Sequence, residues 1–151
     1  MIFPAPMILP AMKKTLRDCP AYRISPEDSN YFALVFDGVG EGCPFVAVVE
    51  IFAVGGRTPP NTHHAAHEMF FVLSGEGVAL CDGMRVPIGR GDALVVKPGG
   101  EHVVENTGMD KLYCLTIMVP DEAFAALIRA GTPVVLDEAD RLVLGGQGGL
   151  S

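Results

Sequence analysis

The strongest constraint on this chain is its rhythm: strand-length apolar runs recur at short intervals, and each is closed by a turn signal. Residues 44–54 (PFVAVVEIFAV), 68–75 (EMFFVLSG), 77–83 (GVALCDG), 92–99 (DALVVKPG), 101–106 (EHVVEN) and 111–119 (KLYCLTIMV) are rich in β-branched and aromatic side chains. Between them stand Gly-Gly, Ser-Gly-Glu-Gly, Asp-Gly, Gly-Arg-Gly-Asp and Asn-Thr-Gly. The spacing leaves no room for crossover helices, so it predicts an antiparallel sandwich or barrel rather than βαβ units. One helix is expected, over residues 120–131 (PDEAFAALIRAG). Acidic residues open it, Phe124, Leu127 and Ile128 form an apolar face, and Gly131 stops it. Following the last strand, it is expected to pack on the outside of the barrel.

A chain of 151 residues is expected to be one domain with its own core. Residues 1–20 read as an N-terminal arm, 21–120 as the barrel and 121–151 as the C-terminal helix and tail, with the glycine-rich end GGQGGLS expected to be mobile. Hydrophobic residues make up 49% of the chain, yet no run is long enough for a membrane span, so they are expected in the interior or at an interface. A net charge of −7 argues against a nucleic-acid surface, which needs clustered Lys and Arg. Cys19, Cys43, Cys81 and Cys114 show no CxxC spacing and read as reduced thiols of a cytoplasmic protein. The apolar start MIFPAPMILPAM has no basic residues before its apolar run and is broken by prolines, which suits a packed arm better than a signal peptide.

Three of the four histidines fall in NTHHAAHE, ahead of an apolar strand. Strand alternation puts Asn61 and His63 on one face, and an inward Glu68 takes Phe70 and Val72 inward with it. Met69, Phe71 and Leu73 then face outward. A bend in HAAH can return Glu68 to the interior point reached by His63. The second segment, GDALVVKPGGEHVVEN, supplies His102 at the start of a strand after a Pro-Gly-Gly turn. Two imidazoles and a carboxylate from two hairpins suit a catalytic divalent ion with open coordination positions. An unpaired Glu68 inside an apolar strand is costly to bury, which also favours a cation partner. His64 is expected to be exposed. Glu50 is expected either in the pocket or facing solvent, and Arg57 and Arg85 are candidate anchors for an acidic substrate.

These two segments resemble the paired motifs of the cupin superfamily. The first, G-x5-H-x-H-x4-E-x6-G, fits from Gly55 to Gly75 with His63 and Glu68 in place and Asn61 where the first histidine is usual. The second, G-x5-P-x-G-x2-H-x3-N, fits from Gly91 to Asn106 with Gly99 and His102 in place and Lys97 where the proline is usual. Pairing Glu68 with His64 through a shorter spacer is rejected, because GGRTPPNTH follows the family's GG-x-x-PP-H-x-H run only in the first register.

The resemblance implies an all-β double-stranded β-helix of jelly-roll type with a C-terminal α-helix. It also implies a metal held at Asn61, His63, Glu68 and His102. Asn61 either coordinates the ion or hydrogen-bonds a bound water, and His67 is a neighbouring or substitute ligand. Iron, manganese, nickel and zinc all suit such donors. The leading expectation is a non-haem dioxygenase-like oxidoreductase acting on a small organic molecule. A metal-dependent isomerase, lyase or decarboxylase, or a non-catalytic metabolite-binding cupin, is the alternative. A homodimer is expected from the outward set Met69, Phe71 and Leu73 and the apolar arm over residues 2–12.

Overall fold

Residues 46–52 carry no polar–apolar alternation, and the computed structural model shows why: both of their faces are covered. The structure describes residues 10–145. The strands are β1 Ala21–Arg23, β2 Asn30–Phe36, β3 Val46–Phe52, β4 His67–Ser74, β5 Glu76–Cys81, β6 Met84–Gly89, β7 Ala93–Val96, β8 His102–Asn106, β9 Leu112–Val119 and β10 Thr132–Val134. Helix α1 is Phe124–Arg129, helix α2 is Glu138–Gly145, and a 3-10 turn at Leu16–Asp18 precedes β1. A seven-stranded sheet, β10-β1-β2-β3-β9-β4-β7, faces a three-stranded sheet, β6-β5-β8, and every pairing is antiparallel. This is the expected jelly-roll barrel with C-terminal helical structure.

The barrel interior is filled from both sheets. Phe52, Phe70, Val72, Leu112 and Cys114 of the large sheet meet Ala79, Ile88 and Val104 of the small one. Nearer α1, Phe32, Leu34, Val46, Val48 and Met118 pack with Ala125 and Ile128. The outward residues of β3 are also buried, because Ala47, Val49 and Ile51 lie in a cluster with Tyr31, Tyr113, Leu136 and Leu144. A strand covered on both sides reads as a continuous apolar run. Helix α2 is fixed to this outer face by Asp140, which is fully buried and accepts hydrogen bonds from Tyr31 Oη (2.7 Å), Tyr113 Oη (2.8 Å) and Lys111 Nζ (3.1 Å). Burial pushes the Tyr31 phenol up to about 12.

Six strands fall where the sequence places them, and β1, β2, β6 and β10 are additional. The signal for β2 (NYFALVF) was present in its aromatic and branched residues. β6 contains Pro87, which suits its place at a sheet edge. Helix α1 is shorter than the pattern in residues 120–131 suggests, because Glu122 and Ala123 adopt left-handed φ angles of 53° and 64°. Its buried residues are Ala125 and Ile128, whereas Leu127 is 52% exposed. Helix α2 was not anticipated as a separate element. Of the expected arm, Leu16 packs on the outer cluster and Cys19 is buried. Residues 1–9 and the tail beyond residue 145 lie outside the described residues.

Candidate metal centre and its cavity

Three elements bring the expected donors together. Glu68 is on β4, whose alternation points it inward with Phe70 and Val72. His102 opens β8, after a turn in which Gly99 takes φ 85°, a conformation that a side chain would strain. His63 lies on the loop before β4, and main-chain bonds hold that loop in place. Asn61 and His102 exchange backbone hydrogen bonds of 3.1 and 2.9 Å, and the Gly99 N–H donates to the His63 carbonyl at 2.9 Å. From the far end of the chain, Glu122 Oε1 accepts from the N–H groups of Ala65 (2.5 Å) and Ala66 (3.0 Å). The motif asparagine, Asn106, is buried away from this centre. Its Nδ2 donates to the carbonyls of Phe52, Ala53 and Asp110, latching β8 to the end of β3.

His63 Nε2 lies 2.5 Å and His102 Nε2 lies 3.0 Å from the same oxygen, Glu68 Oε2. The donor atoms of His63, Glu68 and His102 all fall within 4.8 Å of one another, a grouping that can hold a metal ion. Donors about 2.1 Å from an ion and at right angles sit about 3 Å apart, so the carboxylate–imidazole separations suit a divalent ion. His102 Nδ1 is 3.1 Å from the Gly100 carbonyl, which makes that nitrogen a donor and aims Nε2 at the centre, where it donates to Glu68 or, once deprotonated, could hold an ion. Burial alone would raise the Glu68 carboxyl, but hydrogen bonds from His102 and His63 outweigh it and hold the group below its ordinary value. Burial alone would lower His102, and its bonds to Glu68 and to the Gly100 carbonyl raise it instead.

The centre opens on a cavity of about 370 Å³. Phe32, Phe70, Val104 and Met118 give it apolar walls, together with Phe124 and Leu127 of α1. Glu50, left between two positions by the sequence, faces this cavity. It is 3% exposed and its Oε2 accepts a 2.7 Å hydrogen bond from Asn30 Nδ2. Burial, reinforced by the charge of Glu68 and only partly offset by Asn30, pushes its carboxyl up to about 8.

The remaining candidates are dispersed. Asn61 lines the cavity with Nδ2 3.5 Å from His63 Nε2. His67 is exposed and begins β4 on the face opposite Glu68, outside the three-donor group. His64 is exposed as expected, and Arg57 and Arg85 are exposed and do not line the cavity. Asn30 and Glu122 were missed. Asn30 belongs to a strand the sequence reading did not register, and Glu122 reaches the site from the helix segment.

Residues 48–118 match the cupin domain family model. They contain both donor-bearing segments and the strands that carry them. Over that stretch the chain carries a cupin domain. Over 65 residues, 43% of this chain and 54% of the relative, it is 37% identical to the oxalate-binding protein of Thermotoga maritima. The solved structure of a predicted oxalate decarboxylase from Thermotoga maritima superposes with TM-score 0.59 at 22% identity, covering 80% of this chain and 99% of that one. A Cupin 2 conserved barrel domain protein from Salinispora arenicola gives TM-score 0.57 at 20% identity, covering 72% and 85%. At these identities the structural likeness speaks for the cupin barrel itself. No helix among the described residues is long and apolar enough to cross a membrane.

Proposed function

We propose that this cupin is a metal-dependent protein acting on a small organic molecule in its barrel, with non-haem oxygenase chemistry as the leading reading. The observation that carries it is the convergence of His63, Glu68 and His102 at the wall of a ligand-sized cavity, a set of two imidazoles and one carboxylate. A redox-active ion bound there would supply the reaction with dioxygen. The chain's own part is positional. The Gly100 carbonyl orients His102, Glu122 fixes the loop that carries His63, and the aromatic walls exclude water from the bound molecule. Asn61 supplies a neutral amide where an imidazole is usual, leaving room for a ligand or a water molecule beside the donors.

A second reading is a metal-dependent lyase, isomerase or decarboxylase, or a binding protein. Glu50 favours the catalytic form of it, since a buried carboxyl pushed up to about 8 can give or take a proton near neutral pH. The names of the Thermotoga relatives support the decarboxylase and binding variants. The four cysteines are free thiols, which supports a reducing, cytoplasmic setting.

Oxygen uptake separates the readings. Iron-loaded protein is tested with small thiols, catechols, diketones and hydroxy acids. Uptake with one substrate class, lost in His102→Ala, supports the oxygenase. Silence across the panel, with turnover by the manganese or zinc form in lyase and isomerase assays, contradicts it.

A further inference from the structure

The cavity has an unusual charge balance. Among the described residues, no lysine or arginine lines it, whereas Asp28, Glu50, Glu68 and Glu122 all do. Three of these acids are already engaged within the protein, Asp28 through the Ser25 N–H that its Oδ2 accepts at 3.0 Å. Glu68 Oε2 receives both histidines, and Glu122 Oε1 receives two backbone N–H groups. Glu50 is different. It is 3% exposed, its Oε2 takes one hydrogen bond from Asn30 Nδ2, and among the described residues its Oε1 takes none. The amide oxygen of Asn30, 4% exposed, likewise has no donor. Both atoms belong to residues that line the cavity, and neither is among the sealed side-chain atoms without a partner, so both are open to a molecule held there. Much of the remaining wall is apolar, with Phe32, Phe70, Phe124 and Met118 around the same space.

These features select a ligand class. A dicarboxylate would bring two negative charges into a space with no lysine or arginine, where both imidazoles are already paired with Glu68. An uncharged molecule with an apolar body can fill the aromatic wall and exchange hydroxyl hydrogen bonds with Glu50 Oε1 and the Asn30 amide oxygen. We propose that Glu50 and Asn30 form a hydroxyl-recognition subsite, so that the cavity takes an uncharged, hydroxyl-bearing organic molecule in preference to a dicarboxylate such as oxalate. The inference rests on the reading that this cavity is the ligand site and adds the class of ligand. It sets this chain apart from what the names of its Thermotoga relatives suggest. Glu50 acts here as a specificity-determining residue, and the metal donors are untouched by it.

Calorimetric or NMR titration tests this with two probe pairs: catechol against oxalate, and benzyl alcohol against benzoate, which share an aromatic ring and differ in charge. Both pairs are measured on the zinc-loaded and the metal-stripped protein, because catechol and oxalate chelate metals. The uncharged member is expected to bind more tightly in each pair on the metal-stripped protein. Glu50→Ala should weaken catechol roughly tenfold, the cost of one lost hydrogen bond to a buried acceptor. Glu50→Gln conserves volume and the Asn30 contact. It serves as the second variant should the alanine protein fail to fold, and it should also weaken catechol. Tighter binding of oxalate or benzoate to metal-stripped wild type, catechol affinity unchanged in a folded Glu50 variant, or no binding of either uncharged probe would overturn the proposal. Zinc content of the same samples reads the metal assignment separately. A wild type that takes no zinc yet keeps its Glu50-dependent preference removes the metal reading and leaves this one standing.

Discussion

Asn61 and His102 are joined by a reciprocal pair of backbone hydrogen bonds, N–H to O at 3.1 Å and 2.9 Å, although neither residue depends on its side chain for the link. The main chain therefore holds position 61 beside the donor group whatever side chain it carries. Asn61→His should deliver a third imidazole with little rearrangement and tighten metal binding by roughly tenfold or more. Asn61→Ala should loosen the metal only modestly, since a neutral amide is a poor donor beside imidazole and carboxylate. Competition with a chelator checks both. Equal affinities in all three proteins would place Asn61 outside the metal's surroundings.

Glu50 sets a pH dependence with a definite sign. Its folded value, about 8, lies above the ordinary carboxyl value of 4.5, so the folded protein binds a proton there that the unfolded chain has released. Stability is therefore expected to fall as pH rises from about 4.5 to about 8, and then to level off. Glu50→Gln removes this component. Denaturant unfolding of metal-stripped protein should show the variant gaining on wild type between pH 5 and pH 8.5, by on the order of a few kcal/mol. Parallel curves for the two proteins would mean that Glu50 is not held neutral.

The barrel and the donors were legible in the sequence for the same reason: both rest on local chemistry. Turn glycines bound the six strands that were read, and Gly75, with φ 90°, stands where a Cβ would meet the Lys111 carbonyl at 2.6 Å. Glu68 could be assigned inward from alternation alone. What could not be read depends on partners distant in sequence. The position of Glu50 was undecidable because β3 is apolar on both faces, one of which is covered by a cluster that includes Val143 and Leu144 of α2, an element distant in sequence. Glu122 reaches Ala65 and Ala66 from a left-handed pair, Glu122 and Ala123, that delays the start of the expected helix. Asn30 lies on a strand whose apolar pattern was readable, but its partner Glu50 was not.

Asp140 anchors α2, and its removal should be felt in stability rather than at the metal centre. Asp140→Ala leaves Tyr31, Tyr113 and Lys111 without their shared acceptor in a buried place. A loss of about 3–5 kcal/mol is expected in urea unfolding, with metal content of the folded fraction unchanged. A loss below ~1 kcal/mol would show that α2 is held by Leu136 and Leu144 alone.

A homodimer is expected through the outer face of β4 and its neighbours. Phe71 is 38%, Val95 51% and Val119 39% exposed there, and Met69 pairs with Val95 across the β4–β7 ladder. Such a contiguous apolar edge is costly in water. Sedimentation at micromolar concentration should give twice the chain mass, and Phe71→Glu should shift the protein toward monomer. A wild type found only as a 16.0 kDa species would count against the dimer.

The central claim, that His63, Glu68 and His102 jointly hold one divalent ion, is tested most directly by elemental analysis of tag-free protein beside His102→Ala. The wild type is expected to carry about one equivalent of a transition metal per chain. The variant should carry almost none while its circular dichroism remains that of the folded barrel, because removing one of three donors breaks the set. Full metal occupancy in a folded His102→Ala protein would contradict the account.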